Sequence, residues 1–154
     1  MQIKRSLVLI AAAVAGSALA QQGMKPEDMI QTRQAGYKFM AWNMGKIKAN
    51  LEGNYNKDVV LAAARSVAAT ANSGMGALYS PESGKDIGHV KTRVKPEFFE
   101  QPDEVKKVAV AYIREATELA RVAESGDAAA VKVQFGKTGE ACKGCHDKFR
   151  KDEK

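Results

Sequence analysis

Apolar residues recur along this chain at intervals of three and four, and strand-like alternation is scarce. Four segments carry the helical rhythm. In the first, from about 26 to 51, Ile30, Arg33, Tyr37, Met40, Met44, Ile47 and Leu51 share one face. Pro26 suits a first helical position, Glu27 and Asp28 suit the positive end of the helix dipole, and Gly53-Asn54 end the segment. The second, from about 58 to 71, aligns Val60, Ala63, Val67 and Ala71 before Ser73-Gly74 and Gly76 break it. The third opens at Pro102-Asp103-Glu104 and runs to about 125, with Val105, Val108, Tyr112, Ala116, Leu119 and Ala123 on its seam. Gly126 stops it. The fourth starts at Asp127, a predicted N-cap, and runs to about 150 through Val131, Phe135, Thr138, Cys142, Cys145 and Phe149. Gly136 and Gly139 weaken it locally or admit another group closely. The tight turn between third and fourth makes them antiparallel neighbours. The stretch between second and third holds Pro81, Gly84, Gly88 and Pro96, and its length calls for local structure of its own. The pattern predicts one all-α domain, an antiparallel up-down four-helix bundle.

Residues 1–20 follow a different pattern. Lys4 and Arg5 precede an apolar run from Ser6 to about Gly16, and Ala18-Leu19-Ala20 forms a small-residue cleavage site. This is the plan of a secretory signal peptide removed after Ala20, leaving residues 21–154 as the mature domain. The run is too short to span a membrane, and no other segment is long enough. The expected location is the periplasm. The formal net charge of +6 falls by two when Lys4 and Arg5 leave. That mild basicity does not suggest a nucleic-acid partner.

The candidate chemistry lies near the C-terminus, in Cys142-Lys143-Gly144-Cys145-His146. C-x-x-C-H is the attachment pattern for a c-type haem. Each thiol adds to one vinyl group, and the histidine that follows serves as proximal iron ligand. The chain has two cysteines, so both are used. Helical spacing turns both toward the core, with His146 about 40° around the helix from Cys142. Structural zinc wants four ligands, and the one other histidine is His89. A redox dithiol expects a βαβ context, which the pattern lacks. Covalent haem c is therefore the expected cofactor, and export fits, because bacterial c-type haem is attached outside the inner membrane.

Other positions keep two readings each. Met40 and Met44, one turn apart, are sulfur ligands or gap-filling core residues, the second being commoner on a seam. Arg33, unusual on an apolar face, reaches a haem propionate or snorkels to solvent. His89 is expected to be an exposed loop residue. Lys137, Lys143, Lys148, Arg150 and Lys151 form a solvated helix face or a positive ring that steers acidic redox partner proteins. Phe39 and Trp42 form a second apolar stripe on the first helix, off its main seam.

With these residues in place, the chain resembles the cytochrome c′ family over nearly all of residues 21–154. The likeness is carried by Lys25-Pro26-Glu27-Asp28, Arg33-Gln34-Ala35, Lys95-Pro96-Glu97 and the run from Gly139 to Arg150. A haem motif so close to the C-terminus is itself distinctive. The resemblance implies a five-coordinate, high-spin haem with His146 on one side of the iron and no strong ligand on the other. It implies binding of nitric oxide and carbon monoxide, and electron transfer in the periplasm. It places Arg150 near the proximal side and Tyr37 facing the distal side. It also suggests a homodimer through the first two helices. Tyr37 departs from the leucine of many relatives and from the methionine that binds iron in six-coordinate, low-spin ones. A neutral phenol, with its pKa near ~10, is a poor ligand for ferrous haem, which favours five-coordination. Phe98-Phe99 stands where a tryptophan often follows the Pro-Glu pair. The alternative is a low-spin Met/His electron carrier of the same fold. An enzyme such as a peroxidase is not expected, because no distal histidine or other acid-base residue supports it.

Overall fold

The computed structural model describes residues 23–152; the signal-peptide reading and the last charged residues lie outside them. The elements are α1 (Pro26–Glu52), α2 (Lys57–Ala71), α3 (Glu97–Glu100, a single turn), α4 (Pro102–Ala123) and α5 (Ala128–Phe149). The four long helices agree with the expected segments to within a residue or two, the usual uncertainty of helix ends. They form an antiparallel four-helix bundle. Asp127 caps α5 by accepting from Ala129 N at 2.9 Å and Ala130 N at 3.2 Å. Asn56 caps α2 in the same way through Val59 N. Asp127→Ala is expected to cost about 1 kcal/mol, read as a lower midpoint in urea unfolding at unchanged slope. A midpoint equal to the parent's would show that the cap is worth nothing here.

The core is alanine-rich, which lets the helices approach closely. One cluster joins Ile47, Val60, Ala63, Ala64, Leu119, Ala123 and Val131. A second joins Val67, Ala71 and Ala116, and Met44 packs against both. Fully buried side chains therefore concentrate where α1 ends, α4 ends and α5 begins. Toward the other end the seam loosens. Val105, Val108 and Tyr112 of α4 and Cys142 and Cys145 of α5 are only half-buried. α2 packs broadly on α1 and on α4, and α4 on α5, while α1 and α5 meet at few points.

The connection from α2 to α4 has local structure, as its length demanded. Two 3-10 turns, Met75–Leu78 and Pro81–Gly84, lead to an Ile87–Val90 bridge and then to α3. Met75 packs on Gly36 of α1, where a Cβ would stand 2.8 Å from the Met75 methyl carbon, so a glycine seats the connection on that helix. Further on, Lys95 N donates to Phe149 O at 2.9 Å and Lys151 N to Arg93 O at 2.8 Å. This short antiparallel ladder pins the connection to the end of α5.

Candidate functional site

The motif occupies the last turns of α5, at the loosely packed end of the bundle. Cys142 and Cys145 are free thiols, both half-buried. Burial pushes the Cys142 thiol up to about 11, with a further push from Cys145; burial also raises Cys145. Protonated thiols are the opposite of the electropositive, thiolate-stabilising setting of a redox or metal-binding cysteine. Among the described residues no three His, Cys, Asp or Glu side chains converge as a metal site.

His146 departs from the simple helical-wheel expectation that it faces inward. It is exposed, and Phe149 takes the buried position at this end of α5. Its angular spacing from Cys142 is as expected, and its ring lines a cleft beside Arg150. The imidazole Nδ1 lies 3.4 Å from an Arg150 guanidinium nitrogen. Partial burial, then Arg150 and Arg93, lower the His146 pKa and favour the neutral ring. A neutral imidazole is the form that ligates a metal. His146, Cys142, Gly139, Arg93 and Arg150 line a cleft of about 430 Å³. No protein atom comes within 4 Å of where a side chain would stand at Gly136 or Gly139, so their smallness is not spent on helix packing.

Across from the thiols stands Tyr37, 40% exposed although it lies on the inner seam of α1. Burial raises its pKa, and both Cys145 and Cys142 add to the rise, which puts the phenol on the thiols' side of the bundle. Tyr79 donates to the Tyr37 oxygen at 3.2 Å. Sequence reading missed Tyr79, which sits between Gly76 and Pro81 in a stretch with no periodicity to mark it.

Arg33 corrects an expectation. It does not snorkel; it is 2% exposed. Its guanidinium donates to Leu78 O, Ser83 Oγ, Ser83 O and Thr92 Oγ1 at 2.6–2.9 Å. It also lies 4.5 Å from the centroid of the Tyr79 ring. Four of its N–H groups thus hold the connection. The seam position was legible, but its partners lie 45 to 59 residues away.

Both seam methionines have packing roles. Met40 is 4% exposed, and its sulfur accepts a hydrogen bond from Tyr112 at 3.0 Å. Met44 packs among the core residues. Phe98 stacks on Tyr79 at 4.4 Å and meets Phe149 edge-on at 5.8 Å, so an aromatic cluster fills the place where a tryptophan was noted as missing. His89 is exposed, as expected. Lys143 pairs with Asp147 and Lys148 with Glu104, so two of the expected positive charges are locally matched. The ladder brings Arg93 and Lys95 beside them. Phe39 and Trp42 remain exposed on α1, their rings 5.8 Å apart. No described helix is long and apolar enough to cross a membrane.

Comparison with known proteins accounts for the whole arrangement. A cytochrome c′ from Allochromatium vinosum is 58% identical over 92% of this chain and 92% of its own. The crystal structure of cytochrome c′ from Thermochromatium tepidum shares 59% identity, covers 84% of this chain and 98% of its own, and superposes with a TM-score of 0.82. A second solved cytochrome c′, described as having an unusual ligand-controlled dimer dissociation, is also 59% identical, over 84% of this chain and 99% of its own, with a TM-score of 0.83. The family profile described as Cytochrome C' matches residues 28–150, from the first turn of α1 to the residue after α5. A four-helix bundle that carries C-x-x-C-H at its loose end, matched from end to end in this way, belongs to the cytochrome c′ family.

Proposed function

We propose that the chain is an exported haem protein that binds diatomic gases and exchanges electrons with redox partner proteins. The observation that carries this is the pair of half-buried thiols on the inner side of α5, with His146 next in line and Tyr37 opposite. Cys142 and Cys145 would hold haem c through two thioether bonds. His146 would supply the ring nitrogen for the iron, and Arg150 stands beside its imidazole. When bound, the haem would supply a one-electron couple and take nitric oxide or carbon monoxide on its distal side. Tyr37 lines that distal side as a neutral phenol, since burial opposes its ionisation. Arg33 serves the site indirectly, by fixing the connection that carries Tyr79. The periplasmic location rests on the sequence of residues 1–20. A homodimer through α1 and α2 completes the reading: Phe39 and Trp42 offer an apolar stripe that the core does not use.

The Met/His alternative is disfavoured by the place of the two sulfurs, Met40 engaged by Tyr112 and Met44 in the core. An optical spectrum tests the choice. The ferric protein is expected to show a high-spin Soret band and none of the sulfur-to-iron charge-transfer absorption of Met/His ligation, the ligation that raises the potential of cytochromes c. Met40→Leu and Met44→Leu should leave that spectrum unchanged. Conversion from low-spin to high-spin by either substitution would sink the five-coordinate reading.

A further inference from the structure

Tyr37 and Tyr79 differ in how firmly they are held. Tyr79 is fixed on three sides. Its ring stacks on Phe98 at 4.4 Å with the planes 23° apart, and Arg33 lies over it at 4.5 Å. Its hydroxyl donates to Tyr37 at 3.2 Å. Arg33 is itself anchored by four hydrogen bonds to the connection, and Phe98 leans on Phe149, which is 3% exposed. Tyr37 stands 40% exposed on the loosely packed side and is tied to the connection through its hydroxyl.

A phenol has one proton to donate and can accept as well. One hydrogen bond joins the two hydroxyls, so the Tyr37 phenol is tied to Tyr79 through its oxygen. A residue tethered by its oxygen keeps its ring in place until the tether breaks. From this we infer that Tyr79 is a positioning residue that holds the Tyr37 phenol over the distal side and thereby sets how fast a diatomic gas gains entry. Tyr79 does not touch the gas; it acts through Tyr37. The chain Tyr37–Tyr79–Phe98–Phe149 also ties that phenol to the helix that carries His146. This rests on the proposal that Tyr37 lines the gas-binding side.

Carbon monoxide association with the ferrous holoprotein, followed after flash photolysis, tests it in four proteins: the parent, Tyr79→Phe, Tyr37→Phe and the double variant. Phenylalanine keeps the stacked ring at position 79 and removes the tether alone. Tyr79→Phe is expected to speed association about three- to tenfold, the worth of one net neutral hydrogen bond. In the Tyr37→Phe background it should add nothing, because the tether is already gone. An unchanged rate in Tyr79→Phe would overturn the inference. So would an equal acceleration in both backgrounds, which would mean that position 79 acts through the loop. Ultraviolet resonance Raman spectra of the unliganded ferric protein give a readout independent of gas. The hydrogen-bond-sensitive tyrosine doublet should change in Tyr79→Phe by more than the loss of one ring, and a change limited to that loss would also overturn it. If the parent binds no carbon monoxide, the functional proposal fails, while the Raman comparison still judges the Tyr79–Tyr37 pair.

Discussion

The double variant Cys142→Ser, Cys145→Ser is expected to carry no covalently bound haem. A serine hydroxyl does not add across a vinyl group as a thiol does, so both thioether links are lost together. Haem staining of a denaturing gel should fall to background, and the intact mass of the denatured chain should match the polypeptide alone. A haem that stays with the denatured serine variant would overturn the assignment of these cysteines. Each single variant keeps one link and should retain haem at lower yield. The half-buried setting of the two thiols makes this loss structural as well. α1 and α5 share few contacts, and removing the group proposed to lie between them leaves the loose end of the bundle unsupported.

The second large effect is expected at Arg33. Arg33→Met keeps the length of the buried side chain and removes four charge-assisted hydrogen bonds to Leu78, Ser83 and Thr92. Leu78 O and Ser83 O then lose their donor, Ser83 being fully buried, while Ser83 Oγ keeps its bonds with Ser80 and Thr92 Oγ1 keeps Val94 N. At roughly 1–3 kcal/mol per orphaned buried group, offset by relief from burying a charge, the net loss should be about 2–4 kcal/mol. That is a large share of a typical total of about 5–15 kcal/mol. Arg33→Lys restores the charge but not the planar fork, and should fall between the two. Urea unfolding of the holoprotein would show it as a lower midpoint. A methionine variant within about 0.5 kcal/mol of the parent, the range of an ordinary surface change, would mean the clamp contributes little.

Much of this was legible in the sequence for a simple reason. A helix of 3.6 residues per turn leaves its signature in spacing, and Val60, Ala63, Val67 and Ala71 are all buried as that spacing required. The caps and the C-x-x-C-H pattern are local as well, so Asp127 and the motif could be read directly. What spacing cannot report is which outside segment packs on a face: Met75 of the connection sits against Gly36, and no period in α1 foretells it. Nor can it report partners that are distant in the chain. The Arg33 clamp, the Tyr79–Tyr37 pair and the ladder from Arg93 to Lys151 each join segments more than forty residues apart. The connection that supplies all three has no period, and its roles are visible only once it is folded against α1 and α5.

The uneven packing of the bundle also orders events in time. Broad contacts join α1 to α2, α2 to α4 and α4 to α5, each pair consecutive among the long helices, while the first and last of them touch little. Chains dominated by such near-neighbour contacts fold quickly, because little loop entropy is lost before each contact forms. Three of the four helix pairs around the bundle can therefore assemble from the chain alone. Closure of the fourth, between the first long helix and the last, is expected to come later, because it joins the two ends of the domain.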